Sequence, residues 1–134
     1  MKRLIWATII PVIASCNVGG SGENTQNGLW LQLGKEHSIP GHHTMISYES
    51  ITYDSRCPSD VVCIWGGFAV AKFKIVRNNK PDFFELSTET GGDSNEIVIY
   101  NYRIKLLDLL PYPKIHGTPP EQSDYKAEVL ITLL

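Results

Sequence analysis

Asp54-Ser-Arg-Cys-Pro-Ser-Asp-Val-Val-Cys-Ile-Trp-Gly-Gly67 holds two of the chain's three cysteines, a tryptophan, paired glycines and an Asp/Arg pair. Extended sequence flanks it on both sides. Upstream, residues 44–53 alternate β-branched, aromatic and polar side chains, with Ile46, Tyr48, Ser50 and Thr52 on one face. That alternation is imperfect, but no helical stripe fits better. Downstream, residues 68–77 (FAVAKFKIVR) read as a long strand, with Lys72 and Lys74 opposite Phe73 and Ile75. The stretch is therefore a connection between strands, and the rest of the chain repeats the pattern.

Leu29, Leu31 and Leu33 alternate with Trp30, Gln32 and Gly34, a period of two. Ile39-Pro40-Gly41 marks a turn. Asn78-Asn79-Lys80-Pro81 is a second turn, after which residues 83–87 return as a hairpin partner. Residues 97–100 and 102–110 follow as extended runs; the segment 106–110 is short and ends at Pro111, which favours strand over helix. Residues 125–134 close the chain, with Ala127, Val129, Ile131 and Leu133 facing one way. Seven or eight strands in about 105 residues, with no helix, predict an all-β, antiparallel β-sandwich. The immunoglobulin arrangement is its specific variant, and a small β-barrel is the runner-up.

The chain of 134 residues has room for one domain, and a formal net charge of -2 without a basic run argues against nucleic acid. The first residues have the pattern of an export signal. Lys2 and Arg3 precede a run from Leu4 to Ile13 that is apolar apart from Thr8. That run is too short to span a bilayer, which takes about 20 residues. Ile13-Ala14-Ser15-Cys16 resembles the lipobox of bacterial lipoproteins. The resemblance implies cleavage before Cys16, a diacylglycerol on its thiol, and an acyl chain such as palmitate on the new amino terminus. It divides the chain into a signal peptide (1–15), a lipidated cysteine with a Gly/Ser/Asn-rich linker (16–28) and a β domain (29–134). The linker spans roughly 20 Å root-mean-square. Asn17 after the cysteine, where aspartate is absent, implies an outer-membrane destination if the host is Gram-negative. The expected partner is then the membrane, reached through the N-terminal lipid, with an envelope protein as a second partner and the protein itself a monomer.

An exported domain sits in an oxidising compartment, so Cys57 and Cys63 are expected to form a disulfide. Five intervening residues do not match structural zinc or redox spacings. Val61, Cys63 and Trp65 alternate with Val62 and Ile64, which predicts re-entry into a sheet. On that reading Trp65 packs on the disulfide or the core, and Gly66 and Gly67 leave room for it or permit a bulge. Asp54 and Arg56 are expected to pair, or to cap the turn backbone. The functional alternative makes Asp54, Arg56, Asp60 and Trp65 candidate binding residues on an exposed surface. The run Asp-Ser-Arg-Cys-Pro-x4-Cys-x-Trp-x-Gly also resembles a motif of small bacterial secreted and lipoprotein domains. The likeness extends loosely to residues 29–34, to Tyr102-Arg-Ile-Lys-Leu-Leu and to Pro111-Tyr-Pro113. It departs at Gly67-Phe68, where such domains often carry an acidic residue, and it implies no activity.

His37, His42 and His43 cluster near a turn and His116 lies in a late loop. Adjacent His42 and His43 point to opposite faces if extended, so solvated loop histidines are the expectation, without metal or cofactor. No G-x-S-x-G or H-E-x-x-H nucleophile or metal motif is present. The sequence therefore predicts a non-catalytic, lipid-anchored envelope protein with a binding domain. The alternatives are a protease-inhibitor-like envelope protein, and a metal-binding or enzymatic domain using His37/His42/His43.

Overall fold

The computed structural model describes residues 28–41 and 43–134. The signal segment, Cys16, all but the last residue of the linker, and His42 lie outside the described residues. Eight strands follow in chain order: β1 (Leu29–Gln32), β2 (His37–Ile39), β3 (Thr44–Asp54), β4 (Ala69–Arg77), β5 (Lys80–Ser87), β6 (Glu96–Ile99), β7 (Tyr102–Leu110) and β8 (Lys126–Leu133). They form two four-stranded sheets, ordered β1-β8-β7-β6 and β2-β3-β4-β5. The named strand pairs are all antiparallel.

This is a β-sandwich. Each sheet is a run of neighbouring hairpins, and β1 closes against β8, so the order is not that of the immunoglobulin domain. β1 also links the sheets, because Leu33, just past its end, makes a parallel bridge to Tyr48 on β3. β8 is an interior strand, which explains why its apolar alternation is so regular.

The core follows the period of two. Ala69, Ala71, Phe73 and Ile75 of β4 face Tyr102, Ile104, Leu106 and Leu109 of β7, with Ile46, Tyr48, Leu86, Ala127 and Val129 filling in. Phe73 stacks on Phe84 and meets Tyr48 edge-on. Three register shifts, on two strands, account for imperfect patterns. β3 shifts register between Tyr48 and Ser50 and again between Ile51 and Tyr53. β7 shifts between Leu106 and Asp108, so that Leu109 and not Asp108 turns inward after the outward Leu107. A bulge inserts one residue and reverses the facing of everything after it.

The turns are set by backbone conformation. Asn78 and Asn79 take φ of 52° and 61°, joining Arg77 to its partner Lys80. Asparagine tolerates this left-handed region, and two such residues twist a hairpin correctly. Tyr100 and Asn101 do the same between β6 and β7, at φ of 51° and 68°. At this end Tyr102 donates its hydroxyl to the carbonyls of Pro40 and Gly41, while the long β3–β4 connection occupies the other end.

Candidate functional site: the stapled β3–β4 loop

Residues 55–68 continue the β3–β4 hairpin beyond the sheet without forming strands. Ser55 N–H donates to Phe68 O and Cys57 N–H to Gly66 O, at 2.8 and 3.0 Å. Cys57 and Cys63 are joined by a disulfide, with Cα atoms 5.8 Å apart. Gly67 has φ of 62°, and a Cβ there would collide with the Ser55 carbonyl. Its role is thus a left-handed turn and a close backbone approach, not space for a tryptophan.

The base of the loop is locked to the 111–116 segment. Arg56 is 5% exposed. Its Nε and Nη2 donate to the two Asp54 carboxylate oxygens at 2.9 and 2.7 Å, a bidentate pair. Its Nη1 donates to Leu109 O, and Nη2 also to Pro111 O at 3.0 Å. The Tyr112 ring covers the guanidinium, 4.4 Å from its centroid. Asp54 Oδ1 accepts the Arg56 backbone N–H as well, so this carboxylate both pairs and caps. Burial opposes the Arg56 charge, but the Asp54 hydrogen bond and charge, aided by Tyr112 and Tyr125, outweigh it and raise the guanidinium pKa. Burial pushes the nearby Tyr48 and Tyr125 phenols up. The Tyr48 hydroxyl has no partner among the described residues.

Asp60 forms a second clasp. Its carboxylate accepts the backbone N–H groups of Ile115 and His116 at 3.0 and 2.8 Å, and His116 Nδ1 lies 3.0 Å away. These backbone hydrogen bonds hold the Asp60 pKa below its usual value. Ser59 N–H adds a bond to Pro113 O.

Beyond this base the loop is bare. Val62, Ile64 and Trp65 are 100%, 93% and 82% exposed. Trp65 therefore packs on neither the disulfide nor the core, which corrects the sequence expectation. Residues 61–65 do not re-enter a sheet either: β4 starts at Ala69. The period-two alternation there lies in the connection between β3 and β4, which has no neighbouring strand on which to bury one face. The four candidate binding residues consequently divide. Arg56 is buried in the base with Asp54 half-buried beside it, Asp60 is engaged as a clasp, and Trp65 alone of the four is free to touch something. The sequence reading missed Val62 and Ile64; the signal was three large apolar residues, Val62, Ile64 and Trp65, just before and just past the second cysteine of a seven-residue ring.

Among the described residues the histidines do not assemble. His37 is on β2 with its Nε2 buried and unpartnered among the described residues, His43 is in the turn before β3 at φ of 47°, and His116 is at the opposite end on Asp60. Among the described residues no group of three or more His, Cys, Asp or Glu is placed to hold a metal ion. An apolar cleft of about 230 Å³ lies away from the loop, lined by Leu29, Ile39, Tyr102 and Leu133. Compared with known protein families, curated proteins and solved structures, the chain matches none.

Proposed function

We propose that the protein is a non-catalytic, lipid-anchored envelope protein whose β-sandwich carries a contact surface at the tip of the stapled β3–β4 loop. One observation carries the reading: Val62, Ile64 and Trp65 are almost fully exposed on a loop whose base is fixed. Single exposed apolar residues are ordinary on a protein surface, but a protruding group of large ones marks an interaction site. Tying the ring down beforehand by a disulfide and a buried ion pair lowers the ordering cost of contact. The anchor is supported by the lipobox-like Ile13-Ala14-Ser15-Cys16 and the charged, apolar segment before it. The oxidised Cys57–Cys63 pair fits an exported domain.

A photo-reactive residue at position 64, in cells that make the full chain, tests the surface. Crosslinked adducts are expected at position 64 and not at the exposed loop position 94. Absence of any adduct at position 64 would remove the contact role.

A further inference from the structure

We infer that the occupant of the loop tip is the lipid bilayer interface, so that the domain docks on the membrane to which Cys16 ties it; this rests on the lipid-anchored reading above. The tip is apolar. Ile115 and Tyr112, 61% and 41% exposed, add two apolar residues on the segment clasped to the loop. Tryptophan and tyrosine with aliphatic neighbours are the residue types that settle at membrane–water interfaces.

The charges around the tip suit a headgroup layer. The two carboxylates of the loop are both hydrogen-bonded, Asp54 to Arg56 and Asp60 to the Ile115 and His116 N–H groups. Exposed Lys114 adjoins Ile115, so a positive charge beside the apolar set meets the anionic surface of a bacterial-type bilayer.

The tether length permits docking. β1 runs from Leu29, level with Val129, to Gln32, level with Lys126 at the loop end of β8. The tip therefore lies roughly 20 Å beyond the point where the linker joins. Twelve linker residues reach about 40 Å when extended. Cys16 and the tip can thus engage one leaflet together. An anchor already in that leaflet converts a weak apolar contact into an intramolecular one.

The test uses protein recovered from membranes of cells making the full chain. It is reconstituted in vesicles of phosphatidylethanolamine and phosphatidylglycerol, with plain or brominated acyl chains. The emission attributable to Trp65 is the part that Trp65→Phe removes. The inference predicts that brominated chains reduce this part roughly twofold or more, and that Ile64→Ser weakens the quenching. Intact mass on the same sample reads the Cys16 modification. A lipid-modified Cys16 with unquenched Trp65 overturns the docking inference and leaves the anchored reading standing. An unmodified Cys16 overturns both.

Discussion

Arg56 and Trp65 lie in one fourteen-residue stretch and live in opposite environments. The Arg56 guanidinium is enclosed, paired with Asp54, bonded to the carbonyls of Leu109 and Pro111 and covered by Tyr112. The Trp65 indole is 82% exposed beyond the disulfide. The charged residue is the interior one and the aromatic residue the exterior one, the reverse of the usual partition. A guanidinium goes inside when its donors meet a carboxylate and spare carbonyls. An indole stays outside when the loop that carries it has no strand or layer packed against it. The base serves stability, and the exposed tip carries the proposed contact.

The largest effect should come from the base. Arg56→Ala leaves Asp54 as an uncompensated charge and two carbonyls without a donor, and should cost about 3–5 kcal/mol in equilibrium denaturation. Asp54→Ala should cost a similar amount, and the double variant less than the sum, because the two act as one unit. Additive losses would mean that the pair is not coupled as the geometry shows.

The staple comes next. Replacing Cys57 and Cys63 with serine should lower stability by about 2.4 kcal/mol, the chain-entropy value for a seven-residue ring. Reduction of the native protein should give the same loss. A much larger loss would place the ring inside the folding core rather than beyond it.

The Asp60 clasp should respond to acid. Its folded-state pKa is depressed, so its contribution is full above the ordinary carboxylate value of about 3.9 and fades as pH falls through the lower folded value. The amide resonances of Ile115 and His116 should share an acid transition below about pH 4. In Asp60→Asn they should lose it. A transition there that survives in Asp60→Asn would assign the clasp to another group.

Much of the fold was legible because strands of a two-layer sandwich bury alternate residues. Phe73 and Ile75, Tyr102 and Ile104, and Ala127 and Val129 all carry that signature and all face the core. Asn78-Asn79 was readable as a turn because asparagine tolerates positive φ; Tyr100-Asn101 was not, since tyrosine carries no such signal. β2 has three residues, too few to show a period. In the loop, the Asp54–Arg56 pair was local and so within reach of the sequence. The acceptors that bury it, Leu109 and Pro111, come from more than fifty positions away. They depend on the β7 bulge, which is a feature of strand pairing and not of composition. Trp65 was misplaced because period-two alternation implies burial only where a second strand or layer is present.

The smallest stability effect should be at the tip. Trp65→Ala should change folding free energy by no more than about 0.5 kcal/mol, as for surface positions without partners, while weakening the proposed contact of the tip. Equilibrium denaturation of Arg56→Ala and Trp65→Ala side by side tests the division of the stretch most directly. A gap of about 3 kcal/mol or more between them, with Trp65→Ala near the parent, is the predicted result. Equal losses, or a larger loss for Trp65→Ala, would show that the tryptophan is part of the packed structure and would contradict the account.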